Sequence, residues 1–342
     1  MSDILIRIEG RAGRVTLNRP QALNALTYDM CMALDAALQD WAQDDRVAVV
    51  MLDAVGERGF CSGGDIAEMY ATGTAGDYSY GRRFWRDEYR MNARLAGYGK
   101  PVVSFLQGFT MGGGVGVGCH ATHRIVGESS QIAMPENAIG LVPDVGGSLY
   151  LARAGALGAY LGMTGARMGP GDAVLAGFAD RFIPQAEWEG VKAALVATGE
   201  INALPHHDTP APALAPHLET IAQVFALPDA QAIARILGDL GTEFGTATLK
   251  AMTRNAPLSV ACTREMLARL GPDATLHDAL AQEYRFTHRA MEKADFLEGI
   301  RAAIIDKDRN PRWRHASIAQ VTQAEVAGML ADLGPDEWTY DH

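Results

Sequence analysis

The sequence predicts an α/β protein with a helical C-terminal region, and three observations carry that expectation. Residues 47–52 form a short, wholly apolar run of the kind seen in strands covered on both faces. A helical pattern separates this run from an earlier hairpin, which suits a right-handed crossover between strands. Beyond a Pro- and Ala-rich stretch at 201–216 the pattern is helical almost to the end of the chain.

Ile4, Ile6 and Ile8 recur at period two, and the chain then turns through Gly10 and Gly13 into Val15, Thr16 and Leu17, a hairpin ended by Pro20. Thr27 is placed to cap a helix whose apolar face is Met30, Leu34, Leu38 and Trp41. After the 47–52 strand, GERGFCSGGD (56–65) holds a glycine-rich turn at Gly63 and Gly64, and residues 80–95 form a charged helix containing Trp85, Glu88 and Tyr89. An apolar strand at 102–106 runs into Gly112, Gly113 and Gly114 and then a small-residue helix. Short helices at 156–164 and 171–176, a strand or extended link at 178–183 and a helix at 187–197 follow. Five further helices are expected at 231–240, 245–255, 259–270, 275–291 and 295–304. Pro311 and Trp313 mark an extended passage before a last amphipathic helix at 323–333. The expected division is a core over 1–200, a linker or crossing segment at 201–216 and a helical region over 217–342. No internal repeat is found.

Composition narrows the function. With 342 residues the chain can bury a substantial core, and its 48 % hydrophobic and 21 % charged residues are ordinary for a globular protein. A formal net charge of -11 argues against a nucleic-acid partner, because phosphate binding needs clustered Lys and Arg. The four cysteines, Cys31, Cys61, Cys119 and Cys262, form no CxxC pair, so neither a disulfide framework nor a zinc site is expected. The first twenty residues carry both charges and do not pattern as a leader, and no apolar run reaches membrane length. The expectation is a cytoplasmic protein with no membrane partner, no metal and no bound cofactor.

Residues 100–150 carry the chemistry. Glycine inside a helix costs about 1 kcal/mol against alanine, so Gly114, Gly116 and Gly118 need a reason, and close approach of a ligand or another backbone supplies one. A helix starting after a strand also presents unpaired N–H groups. Two acids follow in apolar surroundings, Glu136 in MPENAIGL and Asp144 in VPDVGG. Backbone donors followed by two carboxylates suit an oxyanion site with acid/base groups. The trio is no P-loop, since no Gly-Lys-Ser/Thr follows, and GxGxxG is not satisfied. Asp144 also stands where it could cap the next helix. Glu88, among Arg82, Arg83, Arg86 and Arg90, could equally form a surface ion pair worth a few tenths of a kcal/mol. His120 and His123 lack metal-ligand spacing, and Cys61 and Cys119 suit small buried positions.

LNRPQALNALT (17–27), GFCSGGDI (59–66) and KPVVSFLQGFTMGGGVG (100–116) resemble the enoyl-CoA hydratase/isomerase, or crotonase, superfamily. Within it, MGGGVG, AMPENAIGLVPDVGG (133–147), FWRDEYR (84–90) and LEGIRAAIIDKDRNPRW (297–313) resemble the 3-hydroxyisobutyryl-CoA hydrolases. The resemblance implies a crotonase-type (ClpP/crotonase) spiral of ββα units, forming two roughly perpendicular sheets, with the C-terminal helical region covering the site or building an interface. It implies that Gly64 and Gly113 N–H groups hold a thioester oxygen, each such donor being worth about 3 kcal/mol. Ala22, Leu23, Ser62, Gly64, Asp65 and Ile66 would line the CoA path. Lys307 would serve the nucleotide end, since Gln21 stands where relatives often have Lys. CoA enters as part of the substrate.

Departures from the pattern are as informative. Hydratases carry a second catalytic glutamate two residues after the trio, and here that residue is Gly116. Glu136 and Asp144 together match the hydrolase pattern, and Glu88 matches its substrate-contacting acid. The implied reaction is hydrolysis of a short 3-hydroxyacyl-CoA, with Glu136 as nucleophile or as base toward water and Asp144 orienting the water or the substrate hydroxyl. A one-glutamate enoyl-CoA isomerase and a non-catalytic acyl-CoA-binding protein are the alternatives. Family members commonly assemble as trimers or pairs of trimers, so a homo-oligomer is implied.

Overall fold

The computed structural model describes residues 2–340. Ile4, Ile6 and Ile8 lie in β1 (Ile4–Glu9), paired antiparallel with β2 (Ala12–Leu17). From there every strand-to-strand pairing among the described residues is parallel. One sheet has the order β1-β2-β3-β5-β7-β9, with β3 at Val49–Ala54, β5 at Val102–Phe105, β7 at His123–Val126 and β9 at Arg181–Phe182. The other has the order β4-β6-β8, with β4 at Gly59–Cys61, β6 at Phe109–Met111 and β8 at Gln131–Ala133. Because β3, β5 and β7 are each followed by a strand of the smaller sheet and then a helical excursion, the chain winds as ββα units. This is the α/β spiral that the motifs imply.

The wholly apolar run expected at 47–52 is realised two residues later as β3. It reaches past Leu52 because Asp53, although buried, is satisfied inside the sheet by Arg14 Nη2 at 2.6 Å and Thr16 Oγ1 at 2.6 Å. Val49, Met51, Val103, Phe105 and Ile125 form one core face with Trp188, Val191 and Leu195 of the Trp188–Thr198 helix. Trp188 packs edge-on to Phe105 at 5.4 Å and donates its indole N–H to Ile183 O at 2.8 Å. Met30, Leu34, Leu38 and Trp41 are buried along the Tyr28–Ala42 helix, whose first turn is capped by Thr27 Oγ1 accepting from Met30 N at 3.2 Å.

Packing groups the chain into two units that interleave in sequence. The first holds the described residues up to Asp65 with Arg90–Ala133 and Arg167–Ala215, and so contains all nine strands found among the described residues. The second holds Ile66–Tyr89, Met134–Ala166 and the chain from Pro216 onward. Where the sequence division is linear, with breaks at 201–216, packing puts residues 134–166 with the helical C-terminal region. The Pro-rich stretch belongs to the first unit, its Pro210 and Ala211 lying directly over Gly171.

Helices of the second unit begin and end where local chemistry dictates. Thr275 and Asp278 form a capping box that starts the Leu276–Lys293 helix, and Pro257 occupies the first turn of the Pro257–Arg269 helix. The helix expected at 295–304 is α-helical only over Phe296–Ile300 and widens into a π turn at Arg301–Ile305. Arg301 anchors that turn by pairing with Glu298, Asp306 and Asp308.

Candidate active site

Two glycine turns meet in the first unit. Leu26 N–H donates to Gly63 O at 2.9 Å and Asp65 N–H to Leu26 O at 2.8 Å. In this parallel bridge the peptides flanking Gly64 are engaged, and the Gly64 N–H points away from Leu26. A Cβ built on Gly63 would lie 3.9 Å from Gly113 N, which sets the second turn beside the first. Gly113 opens the Gly113–Gly118 helix, so its N–H has no partner within that helix. Gly114 is bare because a Cβ there would stand 2.3 Å from Cys61 O. Close approach of backbone to backbone, not of ligand, is what this glycine serves.

The expected CoA-lining residues of the first unit are drawn together by the same turns. Ser62 N–H donates to Leu23 O at 3.0 Å, and Ser62 Oγ lies 3.5 Å from Ala22 O. Leu23 and Asn24 both adopt left-handed backbone, φ 50° and 56°. Buried Asn24 holds the turn by accepting from Arg19 N and donating to Val55 O and Gly59 O. Asp65 pairs with Arg19 at 3.1 Å. Ile66 starts the second unit, at the head of the Ala67–Thr74 helix. Lys307, also in the second unit, is exposed with φ 58° just after the π turn.

The acids gather in the second unit. Glu136 leads a 3-10 turn, Glu136–Ile139, whose next residue locks it in place. Fully buried Asn137 donates to Gly162 O at 2.9 Å and accepts from Thr263 Oγ1 at 2.9 Å, and its carbonyl accepts from Ala256 N at 2.9 Å. Gly299 presses on the same turn, for a Cβ there would come within 2.1 Å of Ile139 O. Residues of the helical C-terminal region thus fix the Glu136 turn from several sides.

Glu136, Glu88 and Asp144 are 5 %, 3 % and 4 % exposed, which excludes the surface ion pair considered for Glu88. Glu136 Oε2 and Glu88 Oε1 are buried with no hydrogen-bond partner. Burial, and then the charge of Asp144, push both carboxyls well above the ordinary glutamate value. Asp144 is pushed up to about 7 by burial, against the hydrogen bond it accepts at 2.8 Å from Tyr89 Oη. Tyr89 is itself held well above 10 by burial and by Asp144, and so remains a donor.

Asp144 does not cap the following helix. Gly146 is the residue at the cap of Gly147–Arg153, and the carboxylate that takes its free N–H groups is Glu283. Glu283, wholly buried on the Leu276–Lys293 helix, accepts from Gly146 N at 2.8 Å, from Ser148 N at 3.1 Å and from Ser148 Oγ. Neither Glu283 nor the role of Tyr89 is visible in local sequence. The available signal for Glu283 is a carboxylate in the buried stripe of Ala279, Leu280, Phe286, Thr287 and Ala290. Glu88, Glu136, Asp144 and Glu283 are thus buried in the same unit as the Tyr89 phenol, and their protons must be shared, because four isolated charges could not be desolvated together. Among the described residues no group of three or more His, Cys, Asp or Glu is arranged to hold a metal ion.

Comparison with known proteins agrees with the fold. The enoyl-CoA hydratase/isomerase family model matches residues 12–330. The mitochondrial 3-hydroxyisobutyryl-CoA hydrolase of Gallus gallus is 34 % identical over 351 residues, covering 98 % of this chain and 90 % of that protein. A crystal structure of an enoyl-CoA hydratase from Rhodobacter sphaeroides 2.4.1 is 57 % identical with TM-score 0.96, over 99 % of this chain and 100 % of that one. A carnitinyl-CoA dehydratase from Mycobacterium thermoresistibile is 37 % identical with TM-score 0.95, over 100 % and 99 % of the two chains. These names span a hydrolase, a hydratase and a dehydratase, so the reaction has to be argued from the site.

Proposed function

This chain belongs to the enoyl-CoA hydratase/isomerase family, and within it we propose that it hydrolyses a short 3-hydroxyacyl-CoA thioester, most readily 3-hydroxyisobutyryl-CoA, to the hydroxy acid and CoA. The observation that carries the reading is the buried pair Glu136 and Asp144 in a chain whose residue 116 is glycine. A hydratase orients water between two glutamates; here the second acid partnering Glu136 is Asp144, the arrangement that motif resemblance assigns to hydrolases.

In this mechanism the Gly64 and Gly113 N–H groups take the thioester oxygen and stabilise the charge that grows on it, a contribution of about 3–4 kcal/mol per donor. Glu136 acts at the carbonyl in one of two ways. As nucleophile its carboxylate adds to carbon and expels the CoA thiolate, leaving a mixed anhydride that water cleaves. As base it takes a proton from water while the oxygen adds directly, and collapse of the adduct breaks the C–S bond and releases the CoA thiolate. Either way Glu136 must be ionised when it acts, and burial makes it a stronger base than a surface glutamate. Asp144 orients the water or the substrate hydroxyl, and Glu88, holding its proton, contacts the acyl end. Ala22, Leu23, Ser62, Asp65 and Ile66 line the CoA path, with Lys307 at its phosphates. CoA arrives with the substrate, and no separate cofactor is assigned. We place the reaction in valine breakdown and in a homo-oligomer of three or six chains, as the motifs imply, and in the cytoplasm, which the four widely spaced cysteines suit. The described residues include no helix long and apolar enough to cross a membrane.

The test is free-thiol release from 3-hydroxyisobutyryl-CoA by the wild type, Glu136→Gln and Asp144→Asn. Hydrolysis lost in both variants is expected. Gly116 equally suits an isomerase that shuttles a proton on one glutamate. Double-bond migration in an enoyl-CoA that survives Asp144→Asn, with no thiol released by the wild type, would replace the hydrolase reading.

A further inference from the structure

We propose that Glu283 is a positioning residue for Asp144: its carboxylate clamps residues 144–148 in the backbone conformation that aims Asp144 at the reacting thioester. The clamp itself stands on geometry, whereas its catalytic consequence rests on the proposed hydrolase reading.

Val145 adopts φ 55°, and Gly146 follows at φ 80°. Two successive left-handed residues form a tight turn, and a β-branched side chain in that region is a genuine outlier, retained only where its surroundings impose it. Asp144 O accepts from Gly147 N at 2.7 Å across the turn, but nothing in that bond requires valine to be left-handed. Glu283 supplies the restraint. It reaches the turn from 135 to 137 residues away in sequence, binding the N–H on either side of Gly147 and the Ser148 hydroxyl as well. These three donors include no cation, so the carboxylate is not half of a salt bridge. Each donor is spent on the turn that immediately follows Asp144. With its C-terminal side held by Glu283 and its carboxylate held by Tyr89, Asp144 is fixed at both ends.

The clamp needs a carboxylate specifically. Both oxygens accept, and one accepts twice. In glutamine one of them becomes an NH2 group, which faces a donor in either flip of the amide. Glu283→Gln therefore opposes the turn with almost no change in volume. Val145→Gly acts at the other end, because glycine enters left-handed backbone without penalty and should lessen the need for a clamp.

The experiment compares wild type, Glu283→Gln and Glu283→Gln/Val145→Gly in thiol release from 3-hydroxyisobutyryl-CoA and in hydrogen–deuterium exchange over residues 144–148. In Glu283→Gln the expected results are a fall in kcat of about 10²-fold, as for a reacting group displaced by about 1 Å, with KM unchanged. A purely structural glutamate would lower the melting temperature and leave kcat and KM of the folded enzyme where they were. Exchange over 144–148 should speed up, and the double variant should regain part of the lost kcat. Wild-type kcat in Glu283→Gln, or a double variant that regains nothing, would overturn the assignment. If the wild type releases no thiol, the hydrolase reading fails on its own account. The clamp is then judged by exchange alone: faster exchange in Glu283→Gln sustains it, and unchanged exchange refutes it.

Discussion

Gly114→Ala tests whether the two glycine turns work as one rigid donor pair. The added methyl would sit 2.3 Å from Cys61 O and 3.0 Å from both the carbonyl carbon and the Cβ of Cys61. Ordinary contact of such atoms begins about 1 Å further out, so strand and helix must separate by roughly that amount. Neither can yield cheaply: Cys61 lies in β4, paired with β6, and Gly114 is in the helix that β6 feeds. Overpacking of this kind costs about 1–3 kcal/mol of stability. The larger consequence is for Gly64 and Gly113, which lie within three residues of the two clashing atoms. A displacement of about 1 Å at an oxyanion site costs about 10²-fold in rate. The assay is steady-state thiol release at saturating thioester, with thermal unfolding in parallel. The expected result is a melting temperature lowered by a few degrees and kcat reduced about 10²-fold. A variant that folds with wild-type kcat would show that these donors are not the oxyanion site, because the shift cannot be absorbed without moving them.

The buried acids make stability fall as pH rises. A carboxyl whose folded value lies above its unfolded one binds its proton more tightly in the folded state, so the stability it contributes is whole below pH about 4 and is lost as pH climbs through the folded value. Glu88 is such a group, and Glu88→Gln removes its titration; the variant's melting temperature should approach or exceed that of the wild type near pH 8 and gain no such advantage near pH 5, by calorimetry. A difference independent of pH would mean that Glu88 is not held protonated. Asn137→Ala strands Gly162 O and Thr263 Oγ1, each at about 1–3 kcal/mol, and should lower the urea midpoint and slow thiol release together, since the same side chain holds the Glu136 turn. Thiol release should itself rise with pH through about 7, as Asp144 and its neighbours ionise; a flat profile from pH 5 to 8 would remove Asp144 from the mechanism.

The features legible in sequence are those set within a few residues. Thr27 caps its helix, Met30 to Trp41 bury one face, and alternation at Ile4, Ile6 and Ile8 makes a strand, because each depends on neighbours at i+2 to i+4. The boundary at 47–52 slipped because Asp53 looks like the end of an apolar run; Arg14 and Thr16, on a strand 37 to 39 residues earlier, together with distant Lys192, make it a strand residue. Asp144 shows the same limit more sharply. By local chemistry it is a helix cap, and what overrules this is Tyr89, 55 residues earlier, which claims its carboxylate, and Glu283, 137 residues from Gly146, which claims the helix end. Glycine placement was legible as a demand for close approach, but not who approaches: at Gly114 it is the Cys61 carbonyl.

This division between local and distant causes explains why the helical C-terminal region serves the proposed chemistry. A 3-10 turn of four residues and a left-handed turn of two have no capacity to hold a buried carboxylate by themselves. Both are held by distant partners from that region: Ala256, Thr263 and Gly299 on the Glu136 turn, and Glu283 on the Asp144 turn. Burying two acids beside each other costs free energy that an exposed loop would avoid. The cost is sustained because the helices exclude water and deny the turns any other conformation. In the proposed reaction the same burial raises the proton affinity of Glu136, so the elements that stabilise the turns also set the basicity of the group they carry.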